Sequence, residues 1–379
     1  MHSEVLLYTP ANSGAGYLRR MHLLATSLAR QAINTFAIWG TEAILPQYLI
    51  RAEYKHIFMP RMRFDKNTYL IENENLSPIY TSVIENSLSQ LHPKVFAFSH
   101  HLGVANELLP IHNNQALFRR TARVLIWRDI LKSPATIDEW KKIDKLRFIQ
   151  TLRNDVDYIL VFGQEDLFDC KSAFSLPEDI TSKIYHLGYV APDISETCLL
   201  QKQRGKDVVI SFGGGENREN LVNELLPKVI KALTILSLKV TIYTGLFWTP
   251  QIVQNVECLA ASNVVVKSNP NYDDFIQHLA ECALAINAGG YNSVVETLYL
   301  GTPLIVLEAS LHNNGIGEVI TRNQIFETHL LYNTIQEGMS LQRITSVIEQ
   351  SIGRDVSHIK EVVDFNGRNN FVQFIKTLL

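Results

Sequence analysis

The chain is predicted to be an α/β protein with two domains, each built on a parallel sheet in the manner of a Rossmann fold. Short apolar runs alternate with longer helical patterns from end to end, which is typical of repeated βαβ units. The chain has 379 residues, enough for about two or three domains that each bury a core. One polar segment, 189–206, interrupts the alternation. Together these observations predict two α/β halves of similar size.

The first half, residues 1–190, opens with a strand at 5–8 and a helix at 17–31, where apolar residues recur at helical spacing. Further strands are predicted at 36–39, 57–60, 95–98, 124–127 and 158–162. Helices are predicted between them at 79–91 and 136–152.

The second half, residues 205–379, repeats the same pattern after the polar linker. Its predicted strands are 208–212, 240–244, 264–267, 283–287 and 304–307, and its clearest helix is 220–236. In such folds ligands bind outside the carboxyl ends of the strands, so a central cleft between the halves is the expected place for a ligand.

Composition and charge argue against a nucleic-acid-binding protein and against a membrane-spanning one. The chain is 46% hydrophobic and 19% charged with a net charge of −3, which is ordinary for a soluble protein and gives no reason to expect nucleic-acid binding. The basic cluster near Arg119 could contact an anionic membrane surface or a phosphorylated acceptor, but a solvated helix face is the favoured interpretation. No apolar stretch approaches the length of a spanning helix.

The cellular setting is predicted from the cysteines and the amino terminus. The four cysteines lie far apart and form no metal-ligand pair, so a reducing cytoplasm is expected. The first residues run straight into a strand-like segment, and no signal peptide is expected. The chain is therefore predicted to be cytoplasmic and to hold no metal.

The most informative segment is 285–303, where an apolar run meets the turn Ala288-Gly289-Gly290 and a helix is expected to open at Asn292-Ser293. A strand, a glycine turn and a helix N-terminus present free backbone N–H groups and a positive dipole end to one point, which suits a pyrophosphate. Glu296 lies about one turn inside, where a carboxylate can accept hydrogen bonds from a vicinal diol such as ribose. The segment predicts a nucleotide site.

Two further glycine turns follow strands. The turn with Gly14 and Gly16 lacks the dinucleotide fingerprint, because Arg19 occupies the third glycine position; a tight strand-to-helix turn is an equally weighted alternative. The run Gly213-Gly214-Gly215 costs backbone entropy of about 1 kcal/mol per glycine relative to alanine. Close approach of a ligand or of the facing domain explains that run better than the turn alone.

These motifs resemble those of a known family. Gly290-Tyr291-Asn292-Ser293, Glu296 and Gly301-Thr302-Pro303 resemble the donor signature of GT-B nucleotide-sugar glycosyltransferases. The most similar group is the bacterial predicted glycosyltransferases related to the peptidoglycan N-acetylglucosaminyltransferase. Other segments resemble that group in the same order: Gly14 to Arg20, Trp127-Arg128-Asp129-Ile130, Gly213 to Gly215 and Thr244-Gly245.

The resemblance implies a GT-B fold of two Rossmann-like domains facing a central cleft, with the acceptor in the first domain and the donor in the second. It implies inverting, metal-independent transfer from a nucleoside-diphosphate sugar, with UDP the expected nucleotide and no cofactor. Glu296 would hold the ribose, and the last helix could pack back on the first domain. The implied donor-site residues are Gly213, Gly214, Gly215, Thr244, Gly245, Gly289, Gly290, Tyr291, Asn292, Ser293, Glu296, His312 and Glu318.

His312 and Glu318 are included because the family's Asp-Gln or Glu-Gln pair is displaced in this chain. The implied acceptor-side residues are Gly14, Gly16, Tyr17, Arg19 and Arg128. Many relatives have a histidine, as base or acceptor aid, at the position of Tyr17, and a tyrosine with a pKa near 10 is a poor base at neutral pH.

Another group must then activate the acceptor. Asp129, after the apolar run 124–127, is the first choice; a salt bridge to Arg128 or a helix cap is its equally weighted alternative. His100 and His101 come second, although paired histidines at a strand end more often form a satisfied loop.

Three interpretations stay open at this point. The favoured one is a glycosyltransferase with an unidentified small-molecule or lipid-linked acceptor. A nucleotide-sugar hydrolase or 2-epimerase would share the fold and the diphosphate site. A binding protein without catalysis is the third interpretation, for which Tyr17 in place of histidine is the main argument.

Overall fold

The computed structural model describes residues 3–10, 16–41, 52–60, 76–99, 108, 114–130, 142–194, 204–213, 220–245, 248–259, 262–268, 271–309 and 317–379. Contacts divide these residues into two units. Unit 1 contains the described residues of 3–10, 17–190 and 366–379, and unit 2 contains those of 191–365 together with Gly16.

Unit 1 is built on a parallel sheet of seven described strands in the order β3-β2-β1-β4-β5-β6-β7. The strands are β1 (Val5–Thr9), β2 (Thr35–Thr41), β3 (Lys55–Pro60), β4 (Val95–Phe98), β5 (Ala122–Arg128), β6 (Tyr158–Phe162) and β7 (Ile184–His186). Strand β1 pairs with both β2 and β4. Because β1 is central and buried on both sides, its sequence is almost continuously apolar.

The helices of unit 1 cover the two faces of this sheet. They are α1 (Gly16–Arg30), α2 (Leu76–Leu91), α3 (Lys142–Asn154), α4 (Cys170–Ala173), α5 (Glu178–Thr181) and, at the end of the chain, α13 (Gly367–Leu378). One face buries a continuous core that includes Tyr8, Phe98 and Trp127. The final helix contacts β6 through Phe371 and Phe162, whose ring centroids are 6.0 Å apart.

Unit 2 repeats the topology with a parallel sheet of six described strands in the order β10-β9-β8-β11-β12-β13. The strands are β8 (Asp207–Ser211), β9 (Lys239–Tyr243), β10 (Val264–Lys267), β11 (Leu284–Asn287), β12 (Leu304–Glu308) and β13 (Asn333–Gln336). The helices are α6 (Leu226–Ile235), α7 (Pro250–Glu257), α8 (Tyr272–Glu281), α9 (Tyr291–Tyr299), α10 (Gly317–Thr328), α11 (Leu341–Ser351) and α12 (Ile359–Val362). The predicted α/β class with two parallel-sheet units is confirmed.

The structure differs from the sequence prediction in where one helix begins and in two additional strands. Helix α2 begins at Leu76 rather than 79, because Pro78 is tolerated in a first turn that needs no amide donor. Strands β7 and β13 were not predicted, since both are short and polar-flanked. The first part of the predicted helix 136–152 lies outside the described residues. In the described part of the chain, no helix has the length and apolarity needed to cross a bilayer.

Candidate functional site

Two glycine turns of unit 2 meet at the carboxyl edge of its sheet. Strand β8 pairs in parallel with β11, and Ser211 lies opposite Asn287, so Gly213 and Gly289 follow at neighbouring positions. A Cβ atom added to Gly213 would lie 3.4 Å from the Ser293 hydroxyl oxygen, and one added to Gly290 would lie 4.0 Å from it. The Ser293 hydroxyl therefore faces both turns. Gly214 and Gly215 lie outside the described residues.

This edge is also where the strand order of unit 2 changes direction. From β8 the sheet grows towards β9 and β10 on one side, and from β11 towards β12 and β13 on the other. The connections after β8 and β11 therefore lead to opposite sides and leave a crevice at the carboxyl ends of these two strands. Open α/β sheets bind ligands in such a crevice. The two turns thus lie at the topological switch point.

The turn after β11 is held rigidly by packing at Gly289. This residue has φ +71°, and a Cβ there would lie 2.5 Å from Val319 Cγ1 and 2.9 Å from Val306 Cγ1. Its N–H also donates to Asn287 Oδ1 at 2.9 Å. Gly290 differs, because its φ of −65° is ordinary and an added Cβ meets no atom of the described residues closer than 4.0 Å. Packing requires glycine at 289, whereas a side chain at 290 would occupy the open space beside Ser293.

Helix α9 begins at Tyr291, one residue before the predicted start, with Gly290 as its N-cap. Glycine offers no side-chain acceptor, and no side chain caps this end. The first backbone N–H groups of a helix have no partner within the helix. Here those of Tyr291, Asn292 and Ser293 lie beside the glycine turns, where together with the helix dipole they suit an anion.

Glu296 is buried one turn inside α9, with 7% of its surface exposed. The Tyr272 hydroxyl, at the start of α8, donates to Glu296 Oε1 at 2.5 Å. Asn271 caps α8 by accepting from the Asp273 N–H at 3.2 Å. Tyr272 was not predicted as a site residue, because its contact with Glu296 joins two helices that are separate in sequence.

Arg322 is a second residue that the sequence did not predict. Only 2% of it is exposed, and its Nη1 donates to the Gly289 carbonyl at 3.0 Å. Its guanidinium carbon lies 6.0 Å from the centre of the Tyr291 ring. A single arginine in a helix forms no recognisable sequence motif. The contact between α10 and the Gly289 turn is therefore visible only in the structure.

The remaining donor-site predictions lie around the same edge. Val319 packs on Gly289, which brings the first turn of α10, with Glu318, beside the glycine turn. Thr244 and Gly245 follow β9, whose last residue, Tyr243, lies opposite Ser211 of β8; the Thr244 N–H donates to the Lys267 carbonyl at 3.1 Å. His312 lies outside the described residues.

Glu308, at the end of β12, adds a carboxyl group to this edge. Burial raises its pKa, and hydrogen bonds from Asn323 and Gln336 act in the opposite direction. The Gln336 amide donates to Glu308 Oε1 at 3.0 Å, and the Asn323 amide donates to Oε2 at 2.5 Å. Both carboxyl oxygens are therefore engaged in fixing β12 to β13 and α10.

Of the predicted acceptor-side residues, Tyr17, Arg19 and Arg128 lie in unit 1, as does the predicted base Asp129, whereas Gly16 is grouped with unit 2. Asp129 follows β5 and is 3% exposed; its Oδ1 accepts from the Ile130 N–H at 2.7 Å. A Cβ at Gly163 would lie 2.9 Å from Asp129 Cβ, so the aspartate packs against the end of β6. Its role as a base stays a prediction. Gly14, His100 and His101 lie outside the described residues.

Tyr17, where relatives have histidine, contacts two arginines. The guanidinium carbons of Arg20 and Arg128 lie 5.0 Å and 5.2 Å from the centre of its ring. Tyr17 and Arg19 are buried, with 6% and 8% exposed. The structure thus gathers these residues at the start of α1 and the end of β5.

Comparison with known proteins identifies the fold. No family model and no curated protein matches the chain. Solved structures match over its whole length: the spinosyn forosaminyltransferase SpnP at 11% identity and TM-score 0.64, covering 100% of this chain and 99% of that one. LpCGTa in complex with UDP matches at 14% identity and TM-score 0.61, covering 100% and 99%. MurG of Acinetobacter baumannii matches at 12% identity and TM-score 0.60, covering 99% of each chain.

These structures have the GT-B architecture, and the two parallel-sheet units of this chain have the same fold. The fold class predicted from the sequence motifs is confirmed. At these identities the likeness concerns the fold, so the activity depends on the site itself.

Proposed function

We propose that the protein is a GT-B glycosyltransferase whose unit 2 holds a nucleoside-diphosphate sugar. The observation that carries this proposal is the meeting of two glycine turns and the Ser293 hydroxyl at the switch point of the unit 2 sheet. An uncapped helix N-terminus and a buried carboxylate one turn inside it complete the arrangement. Phosphate and ribose are the two groups that these features suit.

In this proposal the diphosphate lies against Gly213 and Gly290 and accepts hydrogen bonds from the amides of the first turn of α9. Glu296 accepts hydrogen bonds from the ribose hydroxyls, with Tyr272 fixing the orientation of its carboxylate. UDP is the proposed nucleotide, supported by the family resemblance and by the fold shared with LpCGTa, which was solved with UDP.

The proposed reaction inverts the anomeric centre and needs no metal. An acceptor oxygen or nitrogen attacks the anomeric carbon, the bond from that carbon to the phosphate oxygen breaks, and the nucleoside diphosphate leaves with the electron pair. The acceptor proton passes to a base in unit 1, for which Asp129 is the proposed residue. Backbone amides and the dipole of α9 stabilise the charge that develops on the leaving diphosphate.

A thermal-unfolding screen of nucleoside diphosphates and their sugars tests the proposal. A ligand at 100 times its dissociation constant adds about 2.7 kcal/mol to the free energy of unfolding, and UDP or a UDP-sugar is expected to do so. Stabilisation by no nucleoside diphosphate would refute the proposal.

An activity assay with the nucleotide sugar that stabilises the protein then distinguishes a glycosyltransferase from a hydrolase and from a binding protein. Transfer is expected to release nucleoside diphosphate only when an acceptor is present. Release of free sugar without any acceptor would show a hydrolase instead, and stabilisation without turnover across an acceptor panel would show a binding protein.

A further inference from the structure

A buried side-chain donor without a partner lies at the switch point of the unit 2 sheet. Asn287 is the last residue of β11 and is 2% exposed. Its Nδ2 atom is buried and has no hydrogen-bond partner among the residues that the structure describes. Such a donor is rare and costly, because it has given up water without gaining an acceptor. The described residues therefore use only one half of this carboxamide.

The orientation of the Asn287 carboxamide is fixed by the glycine turn that follows it. Asn287 Oδ1 accepts from the Gly289 N–H at 2.9 Å, as in the turns in which asparagine bonds the backbone two residues ahead. The reverse orientation would place two donors against each other, because an amide NH2 group can only donate. The Nδ2 atom is therefore held on the side of the carboxamide that faces away from the Gly289 N–H.

Asn287 lies on the face of the sheet that helix α9 covers. Its neighbour Ile286 belongs to the large core on the opposite face, and side chains alternate along a strand. Helix α9 contacts β11 and β12, and its buried residues Val294 and Leu298 pack outside that core. The unpartnered donor is thus on the same side of the sheet as α9, four residues before this helix begins.

The ladder partners of Asn287 show where an acceptor is missing. They are Ser211 of β8 on one side and Val306 of β12 on the other. Val306 has no polar side-chain atom, and its Cγ1 would lie 2.9 Å from a Cβ added to Gly289. Ser211 is 7% exposed and ends β8 shortly before the glycine turn of that strand. The unpartnered donor therefore lies between the two strand ends whose glycine turns face the Ser293 hydroxyl.

We propose that Asn287 is a further ligand-binding residue of the unit 2 site, and that its Nδ2 donates a hydrogen bond to a phosphate oxygen of the bound diphosphate. The backbone N–H groups at the start of α9 approach the diphosphate from the helix, and Asn287 approaches it from the end of β11. A diphosphate offers several charged acceptor oxygens, and hydrogen bonds to charged acceptors are the stronger ones. The identity of the ligand rests on the proposed function, whereas the need for an acceptor rests on Asn287 itself.

Two substitutions remove this donor and differ from each other in charge and size. Asn287→Asp keeps the size of the side chain and the acceptor for the Gly289 N–H, but it adds a negative charge. Asn287→Ser stays neutral and keeps a γ oxygen that can make the same local turn, but it is shorter. The carboxamide N–H is the feature that both variants lack. A loss of affinity that is common to both variants therefore reports the loss of this donor.

Calorimetry measures the binding of UDP and of inorganic pyrophosphate at slightly alkaline pH, where a carboxyl group is ionised. Both variants are expected to bind both ligands at least about tenfold more weakly than wild type, because one hydrogen bond to a charged acceptor is lost. Asn333→Ser is the matched control, since Asn333 Nδ2 donates to Ser351 Oγ at 2.7 Å within unit 2. The control is expected to unfold at a lower temperature and to keep both affinities within about twofold of wild type.

Several results would overturn the role of Asn287. A loss in Asn287→Asp alone would be an effect of charge, and a loss in Asn287→Ser alone would be an effect of the shortened side chain. A loss for UDP but not for pyrophosphate would place Asn287 against the nucleoside. An equal loss in Asn333→Ser would show that affinity follows stability. Thermal unfolding identifies the folded variants, and Asn287→Thr, which also lacks the carboxamide, replaces one that does not fold.

The proposed function and the role of Asn287 can be told apart by the wild-type titrations. If wild type binds neither UDP nor pyrophosphate, the nucleotide proposal is refuted, and the role of Asn287 is refuted with it. If wild type binds both ligands and the two variants bind them equally tightly, the nucleotide site stands and Asn287 is not part of it. Binding of both ligands to wild type, with the common loss in the two variants, supports both proposals.

Discussion

The two units share one topology but equip their switch points differently. In unit 2, between β8 and β11, the edge is formed by glycine backbone, one serine hydroxyl and a helix N-terminus. In unit 1, the corresponding positions are Thr9, which ends β1, and Ser99, which directly follows β4, and both side chains are buried. The first arrangement leaves room for a ligand against the main chain, and the second presents buried side chains in place of glycine backbone.

This difference shows how one of two similar sheets is suited to a diphosphate. A backbone cradle recognises a diphosphate by shape and by aligned dipoles, and no charged side chain is needed. The most informative segment of the sequence, 285–303, lies at the unit 2 edge for this reason.

The largest expected effect is a loss of stability on substitution of Gly289, the glycine of the unit 2 turn that packing requires. Gly289→Ala forces a positive φ on alanine and a Cβ 2.5 Å from Val319 Cγ1, so the free energy of unfolding should fall by about 2–5 kcal/mol. Gly338→Ala is the control, because Gly338 has φ +90° and a Cβ added there would have no atom of the described chain within 4 Å. Urea denaturation should show a loss of only about 1–2 kcal/mol for the control. Equal losses would mean that Val319 and Val306 do not confine this turn.

The next effect concerns ribose binding by Glu296. Hydrogen bonds to a charged group contribute about 1.5–3 kcal/mol, so Glu296→Gln should weaken UDP binding by roughly 10–100-fold. Binding of inorganic pyrophosphate, which has no ribose, should be unchanged, and calorimetry with both ligands measures the contrast. A parallel loss for both ligands would indicate that Glu296 shapes the phosphate cradle instead.

A smaller effect is expected at Tyr272. Its hydroxyl donates to Glu296 Oε1, and one hydrogen bond contributes about 0.5–1.5 kcal/mol. Tyr272→Phe should therefore weaken UDP binding by roughly 2–10-fold in the wild-type background. In the Glu296→Gln background the same change should have little effect, because the interaction is already altered. Additive losses in this double-mutant cycle would argue against a positioning role.

The sequence predicts those parts of the candidate site whose residues are neighbours in the chain, and it misses those whose residues are distant in the chain. The turn at Gly289-Gly290 and the position of Glu296 depend on neighbouring residues, and the sequence located them. Tyr272 and Arg322 reach the same turn from helices distant in the sequence, and no local pattern marks them. In unit 1, Trp39, Thr9 and Ser99 likewise become neighbours only through the strand order.

The most direct test of the backbone cradle is a calorimetric titration of UDP into wild type and Gly290→Ala. Gly290 has an ordinary φ, and among the residues that the structure describes no atom would lie within less than 4.0 Å of an added methyl group. The fold should therefore tolerate alanine while the space beside Ser293 is filled. Wild type should bind one UDP, and the variant should bind it at least tenfold more weakly with an unchanged free energy of unfolding. Equal UDP affinity in a stably folded variant would contradict the account.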